Sequence, residues 1–513
     1  MGKSTTSIEL GFIRLNRRKR EPLASQLYQS LRDAILEGQL PKGFRLPSTR
    51  GLAADLSVSR TTVINAFDQL TAEGYLSSSV GKGTFVSGQL PEEHQLIRFR
   101  TPSTRKSSQK NNHLKSQTIA TRPQRKSHPL TLSEYGTRLN DNRVEFVDSC
   151  EPIIPFLPGV PALDEFPIDV WSRISRRRWK TVQSNALSYG SALGYAPLRN
   201  AIAEYVRAFR GVRCDKEQVF VVAGTQQAVD LISRLVVNPG DKVVMENPGY
   251  IKAKTAFKMA GAEIIPIDVD DNGMNVDQVF EHAQHASLVY VTPSHQFPMG
   301  VTMSIERRMK LIEWANQTGG LIFEDDYDSE YRYSNRPIPS LQGLGDGEQT
   351  IYVGSFSKVV FPSLSMGYVV VPKSMISVVK KSLGLWSRPP STIDQMILTD
   401  FIAEGHFARH LRRMRQVHCL RRSTLVESID QHLSDHLKVV GCNAGLHVAA
   451  HLLKKHKDTA VASKLEQIGI IARPLSKFTT GKKVSASGLA LGFASSTPSK
   501  IKSTVKKMRF AFE

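Results

Sequence analysis

Apolar residues in the first 75 positions recur with the spacing of amphipathic helices. The stretch PLASQLYQSLRDAILEGQL carries five of them on one helical face, namely Leu23, Leu27, Leu31, Ala34 and Ile35. Ser48 and Ser59 stand where side chains cap the starts of two further helices. The last of these segments has its apolar face at Val63, Ala66, Phe67 and Leu70. The pattern therefore predicts three short helices that share a small core.

A short hairpin is predicted directly after the third helix. Gly74 is suited to end that helix, because glycine readily adopts the left-handed backbone found there. The runs YLSS and TFVSG then flank the tight turn VGKG, as two short strands would. Helices followed by a hairpin wing are typical of a winged helix-turn-helix, an α+β domain, which we predict over residues 12–87.

Beyond residue 150 the pattern changes to strands that alternate with helices. The runs rich in Val and Ile are QVFVVAG, DKVVMENP, AEIIPID, ASLVYVTP, GLIFEDD and TIYVGSFSK. This alternation predicts an α/β domain with a mostly parallel sheet over residues 151–513. Residues 88–150 are polar, and the stretch TPSTRKSSQKNNHLKSQTIATRPQRKS holds seven basic and no acidic residues. We therefore predict a flexible basic linker over residues 88–150.

The composition points to a partner and to a compartment. Sixty-eight basic against 47 acidic residues give a formal net charge of +21, and the excess is densest toward the amino-terminal end. Such a balance favours a polyanionic partner, with nucleic acid ahead of membrane. No apolar run approaches the roughly 20 residues of a membrane span, the amino terminus lacks a signal-like apolar region, and the four cysteines are scattered. A cytoplasmic protein is expected, without a disulfide framework or a metal site.

The start of the third helix carries the candidate DNA-reading side chains. Ser59, Arg60, Thr61 and Thr62 offer one guanidinium and three hydroxyls, which can contact phosphates and base edges in the major groove of double-stranded DNA. Arg50, near the start of the second helix, is placed to reach backbone phosphate. The wing adds two further candidates, Lys82 and Gly83. The alternative is a helical protein-contact module with a solvated arginine.

The segment from LPSTR to GTFVS resembles the GntR-type winged-helix family over its whole length. Four motifs occur in one contiguous order: L-P-S-x-R, L-x-V-S-R-T-T-V, L-x-x-E-G-Y-L and G-x-G-T-F-V. The resemblance implies that Arg50, Arg60, Thr61 and Thr62 contact DNA, together with the wing at Gly83.

A second constellation lies at the ends of two predicted strands. Lys358, in the motif SFSK, is suited to form a Schiff base, and the hydroxyls of Ser355 and Ser357 can hold a nearby phosphate. Asp325, at the end of the run GLIFEDD, can pair with a protonated pyridine nitrogen, because a close anion favours the charged form of the ring. Tyr327 can donate to a phenolate oxygen of the same cofactor. Taken alone, the SFSK motif also fits a solvated surface lysine. The acidic residues also fit a cation site or a helix cap.

Two further motifs complete a candidate pocket for pyridoxal 5'-phosphate. In VVAGTQQAVDL, a turn joins a strand to a helix, and the free N–H groups near Thr225 and Gln226 are suited to bind a phosphate. Tyr250, in ENPGY, follows another strand and can stack on a planar ring. Together with Lys358 and Asp325, these residues describe one cofactor site.

From about residue 151 to the carboxy terminus, the chain resembles the fold-type I, aspartate-aminotransferase-like family. The ordered motifs are GYAPLRNAIAEY, VVAGTQQAVDL, ENPGY, VTPSHQFPMG, EDDYDSEYRY and YVGSFSK. Joined to the GntR-type head, the whole chain resembles the MocR subfamily of bacterial regulators. The resemblance implies the cofactor roles given above to the eight residues Lys358, Asp325, Tyr327, Tyr250, Thr225, Gln226, Ser355 and Ser357. It also implies a head-to-tail homodimer, in which Tyr189 reaches the cofactor of the neighbouring subunit.

The chain departs from the family pattern at three places. Relatives carry an arginine at the position of Ser365, where its fork grips the cofactor phosphate. Leu489 and Ala490 stand where aminotransferases usually bind the substrate carboxylate with an arginine, and Arg473 is a possible substitute. Met299 replaces a threonine in the P-x-G turn. These departures argue against efficient amino-acid turnover.

Three functions are compatible with the sequence. The first is a transcription regulator that senses pyridoxal phosphate, an amine or an amino acid through Lys358 in its aminotransferase-like effector and dimerisation domain. The second is an active aminotransferase with an accessory DNA-binding head. The third is a regulator whose pocket has lost the cofactor, as Ser365 would suggest. We expect the first, with no catalytic residues assigned, and the operator and effector stay open.

Overall fold

The computed structural model describes ten stretches of the chain, and within them the chain forms two compact units. The units are Met1–Lys126 and Ser127–Glu513. The described residues are 13, 15–17, 21–79, 83–88, 132–141, 155–333, 338–441, 443–454, 456–481 and 487–513.

The amino-terminal unit is a three-helix domain with a hairpin. Its elements are α1 (Leu23–Leu36), α2 (Thr49–Asp55), α3 (Arg60–Ala72), β1 (Leu76–Ser79) and β2 (Gly83–Val86). The two strands are antiparallel, with Leu76 opposite Val86. The predicted apolar faces meet in one core, where Leu27, Leu31 and Val63 are fully buried. The prediction of a winged helix-turn-helix is confirmed.

An eight-stranded sheet forms the centre of the large unit. Its strand order is β3-β10-β9-β8-β7-β4-β5-β6, in which β4, β5, β7, β8 and β9 run parallel, while β10 and β6 are antiparallel to their neighbours. The strands are β3 (Val219–Val222), β4 (Lys242–Asn247), β5 (Glu263–Asp270), β6 (Gly273–Met274), β7 (Leu288–Val291), β8 (Leu321–Asp326), β9 (Thr350–Ser355) and β10 (Gly367–Val370). The predicted α/β fold with a mostly parallel sheet is confirmed.

Helices pack on both faces of this sheet. Strand alternation in β3 shows the two layers, since Val219 and Val221 belong to one apolar cluster, whereas Phe220 and Val222 belong to another. The helices from residue 134 onward are α4 (Glu134–Asp141), α5 (Ile168–Thr181), α6 (Ala196–Arg210), α7 (Thr225–Val236), α8 (Ile251–Met259), α9 (Val276–His282), α10 (Ile305–Thr318), α11 (Leu341–Leu344), α12 (Ile376–Trp386), α13 (Thr392–Ala403), α14 (His406–Leu433), α15 (Asp458–Gln467) and α16 (Pro498–Met508). In the described part of the chain, no helix has the length and apolar character needed to cross a membrane.

A four-stranded antiparallel sheet lies in the carboxy-terminal part of the large unit, with the order β11-β12-β14-β13. Its strands are β11 (Leu437–Val440), β12 (His447–Leu452), β13 (Arg473–Pro474) and β14 (Gly488–Gly492). The strand patterns above did not predict this sheet, whose strand β13 has only two residues.

One helix lies inside the range that the sequence predicts to be a linker. Residues 88–150 were predicted to be a flexible basic linker, yet α4 lies inside this range and belongs to the large unit. The Arg138 guanidinium donates a hydrogen bond of 3.2 Å to the carbonyl of Met259 at the end of α8. Two apolar side chains of the segment, Tyr135 and Leu139, follow a helical spacing that the polar composition of the whole range concealed.

A buried ion pair joins α6 to the end of β8. Arg210, the last residue of α6, donates from Nε to Asp326 Oδ2 at 2.7 Å, and its other nitrogens bond to Ser294 Oγ and the Ile338 carbonyl. Tyr352 on β9 donates to the same carboxylate oxygen. Burial alone would raise the pKa of Asp326, but Arg210 and these hydrogen bonds lower it below its usual value. Asp326 is therefore an ionised, buried hub.

We expect Arg210→Met to lower the free energy of unfolding by about 3–5 kcal/mol, since it leaves a buried carboxylate without its partner. Without the arginine, burial should raise the pKa of Asp326. The folded state then favours the protonated acid, so stability should fall further as the pH rises through the new pKa. Urea unfolding at several pH values measures both effects.

The matched control for this variant is Arg213→Met, which removes the same charge from an exposed side chain. We expect it to change stability by less than about 0.5 kcal/mol. Equal losses in the two variants would contradict a structural role for the buried pair.

Candidate functional site

The recognition-helix candidates lie at the exposed start of α3. Ser59 is the capping residue, and its hydroxyl accepts a 3.1 Å hydrogen bond from the Thr62 amide. Ser59 Oγ and Thr62 Oγ1 also contact each other at 2.8 Å. Arg60, Thr61 and Arg50 are exposed. The start of α3 thus presents Arg60 and Thr61 outward and α2 adds the exposed Arg50, while Ser59 also caps α3.

The predicted wing adds an arginine that the sequence motifs did not single out. Gly83 begins β2 with a φ of 107°, and a Cβ built on it would lie 3.1 Å from Arg45 Nε. The Arg45 backbone pairs with Phe85 as an isolated bridge. Lys82 lies outside the described residues.

The second candidate site begins with the strand β8, whose side chains alternate between its two sides. Asp325 lies on the side opposite to Glu324 and Asp326. Its Oδ2 accepts a 2.6 Å hydrogen bond from the Tyr290 hydroxyl, while its buried Oδ1 has no hydrogen-bond partner among the described residues. Burial raises the pKa of Asp325 to about 7, and the Tyr290 hydrogen bond opposes that rise. One acceptor of this carboxylate is therefore free for a donor from a ligand.

Lys358 stands three residues beyond the end of β9. Its Nζ donates a 2.8 Å hydrogen bond to the Gly159 carbonyl. Burial lowers the pKa of Lys358 and Lys252 acts in the same direction, whereas the Asp328 and Asp325 carboxylates oppose them. A lowered pKa makes the neutral, nucleophilic amine more available at neutral pH.

The backbone at Gly159 contacts the Lys358 amine directly. It has a φ of 83°, and an added Cβ would lie 2.8 Å from Lys358 Nζ. Only a glycine lets the chain approach the amine so closely without strain. The short motif around this glycine gave no signal in the sequence, because the two residues are 199 positions apart.

The two serines and the start of α7 are the candidates for holding a phosphate. Ser355 is the buried last residue of β9, and its hydroxyl accepts a 3.2 Å hydrogen bond from the Ser357 amide. Thr225 and Gln226 are the first two residues of α7, which follows Gly224 and has no side-chain cap. The uncapped N–H groups at such a helix start favour an anion.

Tyr250 and Tyr327 are both in the vicinity of Asp325. Tyr250 precedes α8 and its ring makes an edge contact with Phe297 at 5.8 Å between centroids. Burial raises the pKa of Tyr250, and Asp325 adds to the rise. The Tyr327 hydroxyl donates to the His295 carbonyl at 2.9 Å.

A buried polar group behind Tyr327 was missed by the sequence analysis. His295 Nδ1 lies 3.0 Å from Asp328 Oδ2 and 3.2 Å from the Tyr327 hydroxyl. His447 donates from Nε2 to the Pro298 carbonyl at 3.2 Å. Potential ligand atoms of His295, Asp328 and His447 lie within 4.8 Å of one another. His295 thus contacts both Asp328 and Tyr327, and these contacts fix the orientation of the Tyr327 side chain.

The departures from the family pattern also have defined places. Ser365 is exposed and adopts the left-handed backbone, with a φ of 48°. Leu489 and Ala490 are fully buried in β14, and the Arg473 backbone pairs with Ala490 from β13. Met299 is buried, and its amide donates to Gln296 Oε1 at 2.9 Å.

Family models match both units of the chain. A model for bacterial regulatory proteins of the gntR family matches residues 23–86, and a model for aminotransferase class I and II matches residues 151–508. Both matches agree with the two folds described above.

Relatives and solved structures resemble the chain over most of its length. The probable rhizopine catabolism regulatory protein MocR of Rhizobium meliloti is 36% identical over 498 residues, which cover 96% of this chain and 94% of the relative. The HTH-type pyridoxine biosynthesis transcriptional regulator PdxR of Corynebacterium glutamicum is 30% identical over 483 residues, 94% of each protein. A crystal structure of kynurenine aminotransferase from Pyrococcus horikoshii, in complex with PMP, is 26% identical with a TM-score of 0.66 and covers 75% of this chain and 95% of its own.

We expect Asp325→Asn to weaken binding of pyridoxal phosphate about 10- to 100-fold, because the variant loses a charged acceptor. The measurement is an absorption titration with the cofactor. Asp346→Asn, which alters an exposed carboxylate, is the control and should bind as the wild type does. Unchanged affinity in Asp325→Asn would exclude a contact between this carboxylate and the cofactor.

Proposed function

The chain belongs to the MocR subfamily of GntR-type transcription regulators, and from that premise we propose that its large unit binds pyridoxal 5'-phosphate at Lys358 and uses this site to control DNA binding. The regulator has a winged-helix head and an aminotransferase-like domain, as its relatives do. The cofactor, the effector and the homodimer belong to the proposal.

The unpartnered oxygen of Asp325 is the observation that carries the cofactor proposal. Within the described residues, Asp325 Oδ1 is buried without a hydrogen-bond partner, which is costly for a carboxylate unless a ligand supplies a donor. A pyridinium N–H is such a donor. The neighbouring Lys358 amine, with its lowered pKa, is suited to a carbonyl group on the same ligand.

The remaining candidate residues suit the other groups of the cofactor. Ser355, Ser357 and the uncapped start of α7 at Thr225 and Gln226 suit a phosphate. Tyr250 offers a ring face, and the Tyr327 hydroxyl would serve the phenolic oxygen by turning its proton away from the His295 carbonyl. When bound, pyridoxal phosphate supplies an aldehyde that reacts with amines and a ring that withdraws electrons.

We infer a sensing role for this chemistry instead of efficient transamination. The effector is the cofactor itself, an amine or an amino acid. Turnover of amino acids needs a firm hold on the substrate carboxylate, and the buried Leu489 and Ala490 stand where aminotransferases use an arginine, which leaves Arg473 on the paired strand as the remaining candidate.

Exposed apolar side chains support a homodimer of the large unit. Tyr189 is 85% exposed, with the Arg388 guanidinium 4.1 Å from its ring centroid. Leu187, Leu385 and Trp386 are also exposed. Such a surface fits a second copy of the chain, and Tyr189 would then reach the partner's cofactor site. A regulator that binds chromosomal DNA works in the cytoplasm at the nucleoid.

The cofactor proposal predicts a new visible absorption band when pyridoxal phosphate is added to the full-length protein. After borohydride reduction, mass spectrometry should find the cofactor on the peptide that contains Lys358. Lys358→Ala should show neither signal, because the reacting amine is gone, whereas Lys373→Ala, at an exposed lysine, should show both. Absence of the band at saturating cofactor would overturn the cofactor site. Repeated turnover of an amino acid with a keto acid would overturn the sensing role.

The DNA proposal predicts that Arg60→Ala weakens binding to the protein's own promoter region by about 1–3 kcal/mol, because a bidentate contact to a base edge is lost. Fluorescence anisotropy of the full-length protein measures the affinity and its salt dependence. Arg213→Ala removes the same charge from the large unit and serves as the control. If the wild type binds promoter and random DNA equally, the proposed operator recognition is wrong.

A further inference from the structure

Three buried side chains form a compact group beside Tyr327. His295, Asp328 and His447 are each 1% exposed, and one potential ligand atom of each lies within 4.8 Å of the other two. Among the residues that the structure describes, no other three side chains of His, Cys, Asp or Glu come together in this way. The scattered cysteines led us to expect no metal site, but histidine and aspartate ligands from distant segments leave no spacing motif in the sequence.

Asp328 places a negative charge in this group. Its Oδ2 accepts a 3.2 Å hydrogen bond from the Leu446 amide and lies 3.0 Å from His295 Nδ1. Within the described ranges it forms no ion pair with a lysine or an arginine, and Lys358 donates to the Gly159 carbonyl instead. A buried carboxylate is costly unless a cation and hydrogen bonds compensate its charge. The surroundings of Asp328 therefore favour a bound cation.

His295 has a ring nitrogen that the protein leaves without a partner. Its Nδ1 lies beside the Asp328 carboxylate, whereas its Nε2 is buried and makes no hydrogen bond among the described residues. Buried polar atoms nearly always have a hydrogen-bond partner, and a neutral imidazole that donates from Nδ1 keeps its lone pair on Nε2. A metal ion satisfies such a lone pair. A carboxylate on the other ring nitrogen is also the usual outer partner of a histidine that binds a metal.

His447, the first residue of β12, offers a second imidazole. Its Nε2 lies 3.2 Å from the Pro298 carbonyl, which can only accept, so Nε2 carries the proton and Nδ1 keeps the lone pair. The ring centroids of His447 and His295 are 4.6 Å apart. Two imidazoles and a carboxylate are ligands that Zn²⁺ prefers in proteins. Ligand atoms on one tetrahedral zinc ion lie about 3.3 Å apart, so small side-chain movements complete the set.

The turn that leads into β12 presses on this group. Gly445 has a φ of 73°, and an added Cβ would lie 2.0 Å from His295 Nδ1 and 2.6 Å from Asp328 Oδ2. Glycine adopts this backbone without strain and leaves room for both side chains. The backbone therefore holds the imidazole and the carboxylate together before any ion binds.

We propose that His295, Asp328 and His447 form a binding site for one divalent transition-metal ion of the zinc type. Each imidazole supplies one ring nitrogen, and the Asp328 carboxylate supplies the negative charge. The ion satisfies the unpartnered nitrogen of His295 and compensates the charge of Asp328 at the same time. Magnesium and calcium do not suit the site, because they prefer oxygen ligands. None of the three residues belongs to the proposed cofactor site, so the two proposals are tested separately.

The experiment is a calorimetric titration of the full-length, cofactor-free protein with Zn²⁺ after treatment with a chelator. We expect one strongly bound zinc ion per chain. His447→Gln and Asp328→Asn should bind it at least about 100-fold more weakly, since altering even an outer partner of a ligand typically costs about 10- to 100-fold. His451→Gln, which alters another histidine of β12, is the matched control and should bind zinc as the wild type does. Urea unfolding of the metal-free variants verifies that they are folded.

X-ray absorption of the zinc-loaded wild type identifies the ligands even if a variant fails to fold. The zinc ion should have nitrogen and oxygen neighbours at about 2.0–2.2 Å and no sulfur. A sulfur neighbour at about 2.3 Å would place the ion on cysteines and overturn the proposal. Equal zinc affinity of the wild type and a folded His447→Gln would also overturn it, as would the absence of strong zinc binding by the wild type.

Discussion

The large unit depends on the way in which β8 separates three consecutive buried carboxylates. Glu324 and Asp326 share one side of the strand, where both have protein partners, although Asp326 Oδ1 makes no hydrogen bond among the described residues. The Leu341 and Gln342 amides donate to Glu324, and Arg210 pairs with Asp326. Asp325 alone faces the other side. Like charges on adjacent residues of a buried strand would be prohibitive without this separation, and it leaves one carboxylate available for a ligand.

The side of β8 that carries the Arg210–Asp326 ion pair positions the site on the opposite side. Asp326 is held by Arg210 from α6 and by Tyr352 from β9, so the two parallel strands are locked at their carboxyl ends. Lys358 follows β9 by three residues, and the ladder pairs Asp325 with Val353 of that strand. Ligand sites of open α/β sheets lie outside the carboxyl ends of the strands for the same topological reason. The structural ion pair and the candidate cofactor site therefore use opposite sides of the same strand, β8.

The sequence was sufficient for features whose signal is local. Buried strands that end in polar residues were visible as apolar runs, and Lys358 and Asp325 stand at such ends. It was insufficient for contacts between distant segments, such as Gly159 with Lys358, because no period or motif reports them. The sequence was also ambiguous for residues that are suited to two different local roles. From the sequence, Ser59 is suited both to contact DNA and to cap a helix. The structure shows that its hydroxyl accepts a hydrogen bond from the Thr62 amide.

The helix α8 contacts both the start of α7 and the helix α4. Its first turn carries Lys252, and the carbonyl of Met259 at its end accepts the hydrogen bond from Arg138 of α4. Nine residues of α-helix span only about 13 Å and behave as one stiff body. A ligand can change DNA binding only through contacts that differ between two states of the protein. Because Arg138 of α4 bonds to the end of α8 and the Gln226 side chain bonds to its first turn, α8 is in contact with both segments within the large unit.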